Sequence, residues 1–294
     1  MNYILCDDLS DTNWQKLLVE ELVRQVPSRL ICGNRSQEEW TEHFEVNKAR
    51  LFENFCQSYH PEREVNLIFT DLAFQFLPMY YSFLKNQGCV KVRFYGFAHG
   101  GFYEPWDIQR VLPAYSSIER QMFCYFTRIF VQTNYHRDLI TLSYPELASR
   151  VHVAGMPVPQ VRFERPKKTF EAAFFSRKSP DKGIDYVPEG VEVRRLPKTD
   201  YYNELSKYRA VLVPSRKETF GYVAVEAVLC GTLPVVPFDF SYPEIFGDSF
   251  IYFNDYSEIE DKLKFVCGLS DDEYFTEVER LAQRLRELRF EVPL

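Results

Sequence analysis

Two glutamates separated by seven residues, Glu218 and Glu226, bracket the segment whose residue types and spacing best suit chemistry. The stretch Val211 to Pro237 reads as strand, loop, buried helix, tight turn and buried strand. Gly221 falls where the helix should begin. A glycine there lets backbone amides come close to a phosphate, which the helix dipole also favours. Glu226 lies more than one turn inside the helix, among Val223, Ala224, Val225, Ala227 and Val228. A carboxylate in that setting needs a partner, because its desolvation is otherwise costly. One partner is a ligand with two hydroxyls, since a carboxylate accepts from both together. A neighbouring backbone amide or arginine is the other.

Upstream, Arg177 and Lys182 sit in a basic stretch: residues 161–198 hold 10 Lys/Arg against 6 Asp/Glu in a chain of net charge -7. Those cations suit a phosphate-facing edge or are ordinary solvated charge. His99 follows the run Val90–Phe97 and precedes Gly100-Gly101, which places it on a strand-end loop able to approach a ligand closely. His43, His60, His136 and His152 have no comparable setting. Phe102, Tyr103 and Trp106 come next. Beyond Gly101 they could form a stacking platform for a sugar ring or an extruded base, or fill a core.

Short apolar runs alternating with helix-length stretches must position these groups. Strands are expected at Tyr3–Cys6, Leu30–Cys32, Val65–Thr70, Val90–Phe97, Ile129–Gln132 and Val151–Ala154. Five more follow at Phe170–Phe175, Val191–Arg194, Ala210–Pro214, Pro234–Pro237 and Ser249–Phe253. Helices are expected over Asn13–Gln25, Glu38–Gln57 and Ala73–Lys85. This rhythm indicates right-handed crossover units and parallel sheets. Ala210–Val213 and Leu233–Val236 are apolar without alternation, as in strands covered on both faces. The rhythm breaks at the Pro-rich, basic residues 156–168, so the hinge is placed there. The tail has one apolar face (Tyr274, Phe275, Val278, Leu281, Leu285, Leu288), opened by Ser270 as N-cap.

At 294 residues the chain suits two domains, and 46% hydrophobic residues suffice for two cores. The acidic balance, with pI near 5.4, excludes a surface that is wholly a polyanion footprint. Seven scattered cysteines without a C-x-x-C pair read as reduced thiols, not as a zinc site or a disulfide frame. The N-terminus lacks a basic start followed by a long apolar core. No run approaches the roughly 18 apolar residues of a membrane span. A soluble, cytoplasmic protein is expected.

The Glu218–Glu226 segment resembles the Glu-x7-Glu donor site of family-4 retaining glycosyltransferases, which have the GT-B fold. Phe174-Phe-Ser-Arg177-Lys-Ser-Pro-Asp-Lys182-Gly183 is similar to that family's strand-then-Arg…Lys-Gly element. Tyr202 to Ser215 is similar to the helix and strand leading into the Glu box. Phe130-Val-Gln-Thr133-Asn-Tyr-His-Arg and Val151-His-Val-Ala-Gly155-Met-Pro157 look like the first domain's last strands and the hinge. The likeness spans about residues 90–255. It implies a compact α/β protein of two Rossmann-like, doubly wound parallel-sheet domains facing a cleft. Residues 1–157 would be acceptor-side and 158–270 would bind the donor. Residues 271–294 would form a terminal helix packing back across the hinge.

The resemblance also implies roles. Arg177 and Lys182 would hold a donor pyrophosphate, and Glu218 would contact the sugar hydroxyls. Thr219, Phe220, Gly221 and Tyr222 would lie alongside, and Glu226 would bind the ribose. His99, with Gly100, would contact the sugar near the reacting carbon. The implied reaction is transfer from a nucleotide-sugar, a UDP-sugar, to a soluble acceptor: a glycan, a small molecule or a nucleic-acid base. No cofactor beyond the donor as co-substrate, and no metal, is implied, and the sequence has no Asp-x-Asp after a strand. A nucleotide-sugar epimerase, a phosphorylase and a non-catalytic nucleotide-sugar-binding protein are the alternatives on the same fold.

Two features depart from the family pattern. The loop after the first strand, Cys6 to Thr12, has no glycine. Asp7, Asp8 or Ser10 there could face the acceptor, but capping the helix from Asn13 is the expected job. After Gly183 only about seven residues precede Val191, too few for a crossover helix. The first helix pairs Glu20 and Glu21 with Lys16 and Arg24, unlike a helix that docks on anionic lipid.

Overall fold

The computed structural model describes residues 1–7, 9, 14–33, 44–72, 76–107, 110, 115–161, 165–194 and 198–294. They form two compact units. The first comprises residues 1–132, 136–157 and 290–294, the second residues 133–135 and 158–289.

In the first unit the strands are β1 (Asn2–Cys6), β2 (Arg29–Cys32), β3 (Glu64–Phe69), β4 (Lys91–Phe97), β5 (Phe126–Val131) and β6 (Val151–Val153). They pair in parallel in the order β2-β1-β3-β4-β5-β6. Helices α1 (Trp14–Gln25), α2 (Phe44–Ser58), α3 (Leu77–Asn86), α4 (Tyr115–Phe123) and α5 (Asn134–Ser143) connect them. The central strand β1 is buried on both sides because both sides are covered. Tyr3 and Leu5 of β1 enter a core with Leu51 and Phe55 of α2 and Tyr80 of α3. Ile4 and Cys6 enter a separate core with Leu18 and Leu22 of α1. The many aromatics fill the first of these: Tyr3 meets Phe55 edge-on at 5.3 Å, and Phe55 lies 5.2 Å from Tyr80. The terminal residues Phe290 and Val292 close the second core, and Glu291 N donates to Ala154 O at 3.0 Å.

The second unit contains β7 (Phe170–Phe174), β8 (Glu192–Val193), β9 (Tyr208–Leu212), β10 (Leu233–Pro237) and β11 (Tyr252–Phe253). These strands are parallel in the order β11-β10-β9-β7-β8. Its helices are α6 (Lys198–Leu205), α7 (Tyr222–Leu229), α8 (Tyr242–Phe246), α9 (Ile259–Gly268) and α10 (Asp271–Glu287). Six of the eight residues of α7 are buried, which explains why its sequence is apolar apart from Glu226. Ser270 caps α10 in a reciprocal capping box with Glu273.

All eleven expected strands are present, with ends shifted by up to three residues. β5 begins at Phe126, not Ile129, because Phe126 is itself a core residue. The expected helix starts at Asn13, Glu38 and Ala73 lie outside the described residues. Between Gly183 and β8 the chain makes a short 3-10 turn, Ile184–Tyr186, and no α-helix. In both sheets the strand order reverses, between β1 and β3 and between β7 and β9. Ligands of open parallel sheets bind outside the carboxyl ends of the strands at such reversals.

Candidate functional site

The reversal in the second unit is flanked by the turn after β7 and the loop after β9. Past β7, Ser176 is buried and Arg177 reaches outward to pair with Asp181 at 3.0 Å. A short 3-10 turn, Pro180–Lys182, then delivers Lys182 to Gly183, which has φ +72°. A Cβ on Gly183 would stand 1.8 Å from the carbonyl oxygen of Pro214. Only glycine fits, in conformation and in space. Arg216 N donates to Asp181 O at 2.9 Å, so the two loops are tied together. Burial works against the Asp181 carboxylate, yet the Ser179 hydroxyl and the cations Arg177, Lys182 and Lys217 hold its pKa below the ordinary value. The turn is therefore rich in positive charge.

Lys182 Nζ donates to Glu218 Oε1, and the Ser215 hydroxyl donates to the same oxygen at 3.2 Å. Thr219 is half-buried, and Phe220 is buried with its ring 5.0 Å from that of Tyr222. Gly221 caps α7 with φ +79°, and a Cβ there would meet the fully buried Tyr242 ring at 2.6 Å. The glycine supplies no side-chain cap, so the dipole of α7 favours an anion at this end. Glu226 is buried. Tyr202 of α6 donates to its Oε1 at 3.0 Å. Burial, and the Glu226 charge after it, push the phenols of Tyr201, Tyr202 and Tyr222 up.

In the first unit His99 follows β4, close to the reversal between β1 and β3. Its Nε2 lies 2.9 Å from Thr70 O, at the end of β3, and its Nδ1 lies 3.0 Å from Gln132 Nε2. The Gln132 amide nitrogen also donates to Ala98 O at 2.5 Å, and its Oε1 meets His136 Nδ1. His136 Nε2 lies 2.7 Å from the Tyr103 hydroxyl. Burial pushes the His99 pKa down to about 3, with the Thr70 carbonyl opposing the shift and the Lys48 charge adding to it. A Cβ on Gly100 would stand 2.6 Å from Asp107 Oδ2, and one on Gly101 2.4 Å from Glu119 Oε2. Glu119 accepts from Phe102 N at 2.8 Å and from the Tyr144 hydroxyl at 2.7 Å, while burial pushes its pKa up to about 7.

Two readings are narrowed. Tyr103 belongs to no stacking platform: it is buried among Phe123 and His136 because its hydroxyl serves His136. Trp106 is exposed and Phe102 is half-buried beneath the Arg110 guanidinium at 5.3 Å. Asp7 is buried beyond β1 and paired with the equally buried Lys48 of α2, a partner the sequence did not suggest. Asp8 and Ser10 lie outside the described residues. The structure thus gathers Arg177, Lys182, Glu218 and Gly221 at one reversal, with Tyr222 and Glu226 further along α7. His99 and Gly100 stand near the other. Sequence reasoning missed Gln132, His136, Lys48, Ser215 and Tyr202. The four-residue spacing of Gln132 and His136 at a strand end was a usable signal, whereas Lys48 carries none.

Among the described residues no group of three His, Cys, Asp or Glu side chains is arranged to hold a metal ion. No described helix is long and apolar enough to cross a membrane. The sequence matches no protein-family model. Solved structures do match. A UDP-forming alpha,alpha-trehalose-phosphate synthase from Burkholderia vietnamiensis is similar with TM-score 0.66 and 10% identity, over 97% of this chain and 96% of the other. Anabaena HepE, in complex with UDP and glucose, is similar with TM-score 0.65 and 13% identity, over 99% and 96%. The fold is GT-B. TarM of S. aureus, in complex with Fondaparinux, alpha-GlcNAc-glycerol and UDP, is similar with TM-score 0.61 and 14% identity. That match covers 83% of this chain but only 56% of TarM.

Proposed function

We propose that this protein is a retaining, family-4-like glycosyltransferase that moves a sugar from a UDP-sugar to a soluble acceptor. The observation carrying the proposal is the Lys182-Gly183 turn, locked on Pro214 and placing Lys182 on Glu218 at the sheet reversal. A fixed cation beside a carboxylate suits a ligand with an anionic leaving group next to a polyol. The UDP in the HepE and TarM complexes, and the UDP-forming activity named for the synthase, support the nucleotide assignment.

In this reading Arg177 and Lys182 hold the pyrophosphate, and the start of α7 at Gly221 faces a phosphate oxygen. Glu218 accepts from hydroxyls of the sugar, and Glu226 accepts from the ribose while keeping Tyr202. During transfer the anomeric C–O bond breaks and its electron pair leaves on the nucleoside diphosphate. The acceptor oxygen bonds to the same face of the anomeric carbon, and its proton passes to the departing phosphate. The two cations stabilise the charge that develops there. His99 and Gly100 keep the sugar-contacting role that the family resemblance implies. Asp71, Glu104, Asp107 and Glu119 all act on the Tyr103 phenol. That concentration of carboxylates disfavours a polyanionic acceptor and favours a glycan or small molecule. None of the seven cysteines is in a disulfide, in keeping with a reducing, cytoplasmic setting.

A thermal-shift screen of nucleotide-sugars tests this, because a bound donor raises stability by mass action. One UDP-sugar should raise Tm in the wild type and not in Lys182→Ala, and should then be consumed with a glycan or small-molecule acceptor. Epimerisation of the donor alone, or strict dependence on inorganic phosphate, would replace the transferase assignment.

A further inference from the structure

The hydrogen bonds around His99 admit one consistent placement of protons. The amide nitrogen of Gln132 must be the atom facing Ala98 O, because two oxygens cannot share that contact. The same nitrogen then presents its second N–H to His99 Nδ1 at 3.0 Å, so Nδ1 accepts. Thr70 O can only accept, so His99 Nε2 carries the proton across 2.9 Å. At the far end Gln132 Oε1 can only accept, so His136 Nδ1 is protonated. A neutral His136 then takes the Tyr103 hydroxyl proton on Nε2 at 2.7 Å. Tyr103 O–H, His136, Gln132, His99 and Thr70 O form one directed chain, buried apart from part of the His99 ring. Both His99 ring nitrogens are engaged within it.

We propose that Gln132, His136 and Tyr103 are positioning residues that hold His99 as its uncharged Nε2–H tautomer, so that His99 shapes the sugar site without acting as acid or base. The charged and titratable groups around it come from several elements. They are Lys48 of α2 with its partner Asp7, His136 of α5, and Asp107 and Glu104 packed against Gly100. Lys48 opposes a second positive charge on the ring, and Gln132 offers Nδ1 a donor that a protonated Nδ1 could not accept. The statement about the sugar rests on the function proposed above. The tautomer does not.

The test uses the full chain labelled with ¹⁵N-histidine, and long-range ¹H–¹⁵N spectra recorded from pH 8 to pH 5. His99 should show a protonated Nε2 and a bare Nδ1, His136 the reverse, both unchanged across that range. A His99 signal that titrates near its ordinary value, or that carries its proton on Nδ1, overturns the proposal. Gln132→Glu replaces the donor by an anionic acceptor. The His99 titration should then move up by about 1–3 pH units, and the rate of sugar transfer should gain an acid limb that the wild type lacks. A folded Gln132→Glu variant with wild-type His99 spectra also overturns it. The wild-type spectra decide the tautomer even if that variant does not fold. Expected spectra without any sugar transfer would support the lock and remove the transferase reading.

Discussion

Replacing Glu218 with alanine should move nucleotide binding and sugar transfer in opposite directions. In the structure Lys182 is committed to Glu218, with side chains only 19% and 14% exposed. Exposed ion pairs contribute about 0–1 kcal/mol, and breaking a fully buried one costs about 3–5 kcal/mol. This pair lies between, so its loss should destabilise the second unit by about 1–3 kcal/mol. That is within the usual 5–15 kcal/mol of a folded domain, and the variant should fold. A diphosphate that recruits Lys182 has to draw it away from Glu218 or share it. Without Glu218 that competition, about 1–2 kcal/mol, disappears, and UDP should bind about 5–30-fold tighter. Transfer loses a charged hydrogen bond to the sugar, about 1.5–3 kcal/mol, so kcat/KM should fall roughly 10–150-fold. Calorimetric titration with UDP at fixed low salt, run beside an assay of UDP release, reads both effects. Unchanged or weaker UDP binding in a variant with a native circular dichroism spectrum would refute the idea that Glu218 restrains Lys182.

Other consequences follow from the same geometry. Gly183→Ala forces a Cβ against Pro214 O and places a side chain at φ +72°, which by itself costs about 1–2 kcal/mol. Thermal unfolding should shift down and UDP binding should vanish, whereas the exposed Gly190→Ala, where a Cβ meets nothing, should leave UDP binding intact. Lys48→Met strands Asp7 in the core of the first unit and should cost about 3–5 kcal/mol in urea unfolding, with Asp7→Asn in the same chain recovering a measurable part. Glu119 has its pKa raised by burial from 4.5 to about 7. An acid raised on folding contributes stability that is full below about pH 4.5 and is lost as pH rises through about 7. That interval corresponds to roughly 3 kcal/mol. Glu119→Gln should therefore gain Tm on the wild type between about pH 4.5 and about pH 7 and level off above that, and parallel Tm curves would contradict the assignment.

What was legible in the sequence divides along a physical line. The strands could be read from their short apolar runs, and a doubly covered strand shows that in consecutive residues such as Leu233 to Val236. The missing helix after Gly183 could be read because chain length alone forbids it. Gly221 was legible as the close-approach residue at a helix start and Gly183 only through the family resemblance; their positive φ came with the structure. The strand orders were not legible. They depend on which strands pair, and Ala172 of β7 finds Ala210 of β9 across a long stretch of chain.

The buried polar groups show the limit most clearly. Physical chemistry requires that buried Glu226, Asp7 and His99 have partners, and the sequence displays that requirement for Glu226 alone. It does not display the answer. Tyr202 stands 24 residues before Glu226, Lys48 stands 41 after Asp7, and Gln132 stands 33 after His99. Each partner comes from a different element, and only tertiary packing brings it in. This bears on function, because a carboxylate with a protein partner no longer demands a ligand. The ribose role of Glu226 loses the support of an unsatisfied charge once Tyr202 is in place. It takes a narrower form: a ribose would have to share a carboxylate that Tyr202 already engages. Arg177, exposed and paired with Asp181 at the rim of the turn, faces the opposite situation. Its charge is already mostly solvated, so drawing it onto a diphosphate costs little. Lys182 must be won from Glu218, which is why the pair, and not either residue alone, should set how tightly a nucleotide is held.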